Sequence, residues 1–225
     1  MKNSPKSNAH PTSGFKDYLI LKLMKLSFLL REHPLRFLYS DSILRLLGSN
    51  QNTRESFLFT EKWPGPIWDV GASVGKFTAM LAEANPERTV YAFEPNLNSL
   101  YYLGHRTSRF PNVVIVPCAL TIDGEPFKTS HSADFFEQPT GPMAHSISLA
   151  EAIAKFGRPS FAKFDIEGGE YSIFAEEPES LLGSHLLIEW HKYKTEAPIP
   201  TFKHWESCES FVETEAHTTT HYRPR

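Results

Sequence analysis

The stretch Ile67-Trp68-Asp69-Val70-Gly71-Ala72-Ser73-Val74-Gly75, with Thr89-Val90-Tyr91-Ala92-Phe93-Glu94-Pro95 after it, decides the fold. Ile67–Val70 is a short apolar run of the kind that becomes a buried strand. Gly71 and Gly75 bracket a turn into a helix expected over Gly75–Ala84, which Pro86 stops. Val90–Phe93 reads as a second strand, and Glu94 ends it twenty-five positions after Asp69. Strand, glycine loop, helix, strand and acid form the layout of a nucleotide-type site at the carboxyl edge of a parallel sheet.

The spacing inside that unit separates two ligand classes. The dinucleotide pattern G-x-G-x-x-G, laid from Gly71, needs glycine at positions 73 and 76, which hold Ser73 and Lys76. A pyrophosphate cradle, and with it a nicotinamide-dependent oxidoreductase, is disfavoured. S-adenosylmethionine carries no phosphate. It needs room for a methionine moiety and an acid for its ammonium group, and Asp69 is placed for that. A carboxylate at Glu94 can accept hydrogen bonds from both ribose hydroxyls. Glu94 can also cap the next helix, which is expected to start near Pro95, a residue suited to the first helical position, and to run over Asn96–Arg106.

Working outward, the chain alternates. Val113–Pro117 is a third strand, Asp123-Gly124 a turn, and residues 126–148 an irregular β insertion. Leu149–Phe156 is a helix with Ser148 as N-cap. Phe161–Asp165 is a fourth strand, Glu170–Leu182 a helical stretch interrupted at Pro178, and His185–Trp190 a fifth strand. A helix near Phe202–Cys208 and an antiparallel pair, Ser210–Glu215 with Thr218–Tyr222, are expected to close the chain. This order predicts an α/β fold with a mostly parallel central sheet and helices on both faces. His217 and His221 share a face only on a helix, which the Thr-rich tail does not suggest, so both read as solvated.

The chain has 225 residues, enough for one domain and an extension. Residues 1–14 read as a disordered tail, 15–60 as an N-terminal helical extension and 61–225 as the domain. Up to Gly48, eight Lys/Arg face three Asp/Glu, whereas the whole chain carries −3. The extension is either a helical cap with snorkelling lysines or a contact with a membrane surface or partner through residues 15–47. Its charges do not fall on one clean face. Tyr18–Leu30, broken by Lys22 and Lys25, is too short and too charged to span a bilayer, and no secretory signal is expected. The negative balance argues against a nucleic-acid binder. Two cysteines, Cys118 and Cys208, are too few for a disulfide framework or a cysteine zinc site. A reducing cytoplasm, with peripheral membrane contact as the variant, is the simplest setting. Nothing in the chain bears on oligomeric state.

Three ordered motifs resemble the FkbM family of S-adenosylmethionine-dependent methyltransferases. They are Asp69-Val70-Gly71-Ala72-Ser73-Val74-Gly75, Ala92-Phe93-Glu94-Pro95 and Asp165-Ile166-Glu167-Gly168-Gly169-Glu170. The resemblance covers Ile67 to His191, and Ser73 stands where the family has Asn. It implies a Rossmann-like class I methyltransferase fold, S-adenosylmethionine as cofactor, and a hydroxyl acceptor on a sugar, lipid or other small molecule. It points to Asp69, Gly71, Ala72, Ser73, Gly75, Glu94, Pro95 and Asp165 as cofactor-binding residues. Ala119 and Leu120, after the third strand, take the place where such folds pack the adenine edge.

Methyl transfer to a hydroxyl needs alignment and a base near the methyl group. Asp165 and Glu167, at the end of the fourth strand, sit on the ligand side of the sheet. Asp165 is the first choice as base, with Glu167 and Glu189 next. His191, on the same rim, has the ordinary pKa best suited to base work near neutrality. Glu170 reads equally as a capping acid and as a chemical one, and His145 is expected to face the same cavity. Carboxylates and a histidine on one rim could take a divalent cation, but no spacing fixes a ligand set and no metal ligand is assigned. The readings opposed to a small-molecule methyltransferase are a nucleic-acid methyltransferase and a catalytically degenerate module recruiting a partner through its N-terminal helices. The first usually carries an Asn/Asp-Pro-Pro-aromatic motif where this chain has Asp165-Ile166-Glu167-Gly168.

Overall fold

In the computed structural model, the structure describes Leu58 and residues 61–128, 143–213 and 216–225. They belong to a unit spanning Thr53–Arg225. The readings for residues 1–14, for nearly all of 15–60, and for the middle of the 126–148 insertion lie outside the described residues.

β1 (Ile67–Val70) is buried at every position and leads through the glycine loop into α1 (Lys76–Ala84). β2 (Val90–Phe93) follows, then α2 (Leu97–Thr107) and β3 (Val113–Val116). Asn96 is the N-cap of α2, accepting from the Asn98 and Ser99 amides at 2.9 and 3.2 Å. Pro95 therefore precedes the cap instead of opening the helix. The physical reason is that the Asn96 side chain satisfies the orphan amides better than a proline start could.

β4 (Ala119–Thr121), β5 (Phe127–Lys128), β6 (Met143–Ala144) and β7 (Ser146–Ser148) make two small accessory sheets, β4 with β7 and β5 with β6. α3 (Leu149–Phe156) begins on a capping box between Ser148 and Glu151, as expected for Ser148, and stops at Gly157 with φ 78°. β8 (Phe161–Phe164) leads to α4, which covers only Glu170–Ile173. The longer helix expected to Leu182 is absent. Pro178 cannot donate its amide, and the chain resumes as a single 3-10 turn at Glu179–Leu181.

β9 (His185–His191) runs one residue beyond its expected end. The helix expected near Phe202–Cys208 does not form. Its second part opens β10 (Trp205–Glu213), which pairs antiparallel with β11 (His217–Pro224). Pairing wins because the Trp205 indole is sealed in the core and donates to the Ser184 carbonyl at 2.8 Å.

Among the described residues the main sheet has seven strands in the order β10-β11-β9-β8-β1-β2-β3. β3, β2, β1, β8 and β9 are mutually parallel, and β11 is inserted antiparallel between β9 and β10. Strand alternation divides the core between the two faces. Trp68, Val70, Phe164, Ile188 and Trp190 pack with α3 and with Phe174 and Phe202. Ile67, Val90, Phe161 and Leu187 pack with Leu81, Leu58 and Trp63. The carboxyl ends of β1, β8 and β9 thus share one rim.

Candidate active site

The rim is closed by a direct backbone approach. Gly71 has φ 81°, and a Cβ there would lie 1.8 Å from the Asp165 carbonyl oxygen. Only glycine lets the loop after β1 touch the loop after β8. Among the described residues, Ser73 (φ 48°) and Glu167 (φ 57°) are the two non-glycine residues at positive φ, one in each of these loops. Such geometry costs energy and concentrates at functional sites. It also explains why Asn suits position 73, since Asn tolerates the left-handed region better than Ser.

In the β1 half of the rim, the Ser73 amide donates to Glu94 Oε2 at 2.8 Å and the Asn96 amide to Oε1 at 2.7 Å. Each oxygen keeps a further lone pair. Burial raises the Glu94 pKa, and those two amides oppose the rise. Asp69 is fully buried. Its Oδ2 accepts from the Thr78 hydroxyl at 2.6 Å, and its Oδ1 has no hydrogen-bond partner but lies 3.9 Å from Lys163 Nζ. Burial raises its pKa against the pull of Lys163 and Thr78. Ala72 is buried and Pro95 half-buried beside this loop. Gly75 caps α1 with φ 79°, where a Cβ would meet Leu103 Cδ1 at 2.6 Å. Ala119 and Leu120 are buried in β4, and Leu120 turns into the main core.

In the β8–β9 half, Lys163 Nζ donates to Asp165 Oδ2 at 2.8 Å. Burial would lower the Lys163 pKa, but Asp165 and Asp69 outweigh it and hold the ammonium charged. His191 is 3% exposed, with Nδ1 3.0 Å from Glu170 Oε1. Its Nε2 lies 3.7 Å from Asp165 Oδ1 and 3.5 Å from Glu167 Oε2. Burial alone would depress the imidazole. The Glu170 hydrogen bond and the charges of Glu170, Glu167 and Asp165 overcome it and raise the pKa to about 9. Glu167 is raised by burial, against a 2.8 Å hydrogen bond from the Tyr193 hydroxyl. The rings of His191, Tyr193 and His217 meet edge to face, with centroids 5.7 to 5.9 Å apart.

Asp165, Glu167 and His191 therefore converge, each offering an atom within 4.8 Å of the others. That spacing would admit a divalent ion, yet Lys163 already neutralises one Asp165 oxygen, and no ion is assigned. Glu189 is half-buried on the same face of β9 as His191 and adds to the field holding Lys163 charged. His145 is exposed between β6 and β7. The reading of His217 and His221 as solvated is overturned: His217 is half-buried and His221 is 8% exposed. β11 is an interior strand, so its neighbours cover them.

Sequence reasoning misses Lys163, Tyr193 and Thr78. Lys163 does leave a signal. It is the one charged residue in the apolar run Phe161–Phe164, and it shares a strand face with Asp165. Tyr193 and Thr78 leave none.

A mostly parallel sheet with one antiparallel strand inserted near its edge, a glycine loop after β1 and an acid ending β2 define a class I, Rossmann-like methyltransferase. The Methyltransferase FkbM domain matches residues 69–213, and the chain belongs to that family. It is accordingly an S-adenosylmethionine-dependent methyltransferase. No curated protein matches the chain. Among solved structures it is similar to an rRNA methylase from Streptococcus thermophilus, at 13% identity, 76% of this chain, 93% of that one and TM-score 0.46. It is also similar to precorrin-6y C5,15-methyltransferase from Geobacter metallireducens, at 13%, 75%, 86% and 0.45. A third is ribosomal protein L11 methylase from Lactobacillus delbrueckii subsp. bulgaricus, at 8%, 79%, 80% and 0.46.

The residues present fit the cofactor. The carboxylates of Asp69, Glu94 and Asp165 are all acceptors, which matches a ligand offering an ammonium, ribose hydroxyls and a sulfonium. Asp69 Oδ1, buried and with no hydrogen-bond partner, is an acceptor still wanting a donor.

Proposed function

We propose that the chain methylates a hydroxyl on a small molecule such as a sugar or lipid headgroup, with His191 taking the hydroxyl proton. The observation that carries this reading is the buried Glu170–His191 pair, which turns Nε2 toward the rim between Asp165 and Glu167. Glu170 already accepts backbone amides on both oxygens, so the ring must donate from Nδ1. In its neutral form His191 then has its lone pair on Nε2. Glu94 and Asp69 would hold the cofactor's ribose and ammonium ends. When bound, the cofactor supplies the electrophilic methyl group. The chain's own work is to align the acceptor oxygen and receive its proton on His191 Nε2. Asp165 has one of its oxygens, Oδ2, already occupied by the Lys163 ammonium at 2.8 Å.

Two measurements test this. Calorimetry with S-adenosylmethionine should show binding that Glu94→Ala weakens at least about tenfold, the loss of hydrogen bonds to a charged group. Tritiated methyl transfer into a cell extract should label small molecules as base-stable ethers. Label in nucleic acid would overturn the small-molecule reading, and label in base-labile esters would overturn the hydroxyl reading.

A further inference from the structure

The loop after β8 and the histidine on β9 are joined by one carboxylate. Glu170 is 0% exposed. Its Oε1 accepts the Ile166 amide at 2.7 Å and lies 3.0 Å from His191 Nδ1, and its Oε2 accepts the Gly168 amide at 2.7 Å. The two amides flank Glu167, the residue held at φ 57°.

We propose that Glu170 is a positioning residue that keeps the His191 proton on Nδ1 and, in the same contact set, clamps Glu167 in its left-handed conformation. The inference rests on the reading of His191 as proton acceptor. It differs from the capping role, one of the two the sequence leaves open. α4 has four residues and little dipole to complement. Glu170 is also sealed from solvent, and one of its oxygens is committed to the His191 ring as well as to a backbone amide. A buried carboxylate is costly unless donors saturate it, and here two loop amides and an imidazole do so. The consequence is a rigid register: Glu167 Oε2 and His191 Nε2 face each other at 3.5 Å because both are held by the same side chain. The other groups facing the ring are Asp165 from the loop, Tyr193 after β9 and His217 from β11.

The test uses the full chain labelled with 15N. Long-range imidazole spectra, recorded above pH 9 and assigned by loss of the signal in His191→Gln, report which ring nitrogen carries the proton. Amide exchange reports the loop. In the wild type the proton is expected on Nδ1. In Glu170→Ala it should move to Nε2, and the Ile166 and Gly168 amides should exchange about tenfold faster or more. Glu170→Gln keeps one acceptor oxygen for Ile166 and the ring but offers an NH2 group to Gly168. It should restore the Nδ1 proton and leave only the Gly168 amide fast. A ring that stays Nδ1-protonated in Glu170→Ala overturns the proposal. If that variant does not fold, a Glu170→Gln protein whose Gly168 exchange is unchanged, or whose ring switches, does the same. A ring that switches while methyl transfer persists supports the positioning role and removes His191 as the base, so the two failures are separable.

Discussion

Two histidine pairs sit at opposite ends of the same β9–β11 ladder, on the same face, and their chemistry is opposite. At the carboxyl end of β9, His191 lies in register with His217 and is raised to about 9. At the amino end, His185 Nδ1 and His221 Nε2 are 3.3 Å apart, and His221 is depressed to about 4. Burial depresses both ends. At the rim, the Glu170 hydrogen bond and the charges of Glu170, Glu167 and Asp165 reverse it. At the base, His185 and Arg223 reinforce it, and Trp63 packs on His185 with ring centroids 5.0 Å apart. The difference teaches that strand position alone does not make a histidine chemical. The carboxylates delivered by a second loop do.

The comparison breaks most severely at Gly71. A Cβ there meets backbone, not a flexible side-chain tip, so Gly71→Ala should cost about 3 kcal/mol or more of stability. In whatever fraction folds, it should displace the Asp165 loop, abolish cofactor binding and perturb the His191 imidazole signals. The His185 and His221 signals should stay in place. Equal perturbation of both pairs would show that the rim is not mechanically separate from the base.

Activity should sharpen the contrast next. His191→Gln is expected to lower methyl transfer by about a hundredfold, the lower end of general-base contributions. His221→Gln should leave it within about threefold on the same scale. Transfer by the wild type should increase with pH toward about 9, where His191 loses its proton. Matching losses in the two variants would assign both pairs to structure.

The smallest expected effect is on stability against pH. His221 has a folded pKa of about 4 against an ordinary 6.5, so the unfolded chain binds its proton more readily. Its contribution is present above pH 6.5 and is lost as pH falls toward 4. His191 runs the other way. Its folded pKa of about 9 makes its contribution complete below pH 6.5 and lost as pH rises through 9. Thermal melts should show Tm falling at both ends. His221→Gln should flatten only the acid limb and His191→Gln only the alkaline limb, by a few degrees each. A single variant that flattens both limbs would mean the pairs are coupled through the ladder.

Much of the β1–β2 half is legible in the residues alone. Gly71, Ser73, Gly75 and Glu94 lie within one βαβ unit, where local backbone demands leave direct marks in residue type. The β8–β9 half is legible only as a set of polar residues on one rim. Asp165 reads as the first-choice base from its strand end, while the 2.8 Å contact of the Lys163 ammonium with its Oδ2 is seen only in the structure. Glu170 reads equally as a cap and as a chemical acid because its helix-start position is visible and its burial is not. His217 reads as solvated because β11 enters the sheet between β9 and β10, a placement no local pattern announces.

The sequence by itself determined the alternating α/β order, the glycine loop, the three motifs and hence the family. Periodicity and turn residues report local backbone state, and that state builds these features. Only the tertiary structure decided which carboxylate meets which histidine, the tautomer that follows, and why one end of a strand pair holds a proton that the other end rejects. Those properties are set by charges and burial within a few ångströms, contributed by segments that lie far apart in the chain.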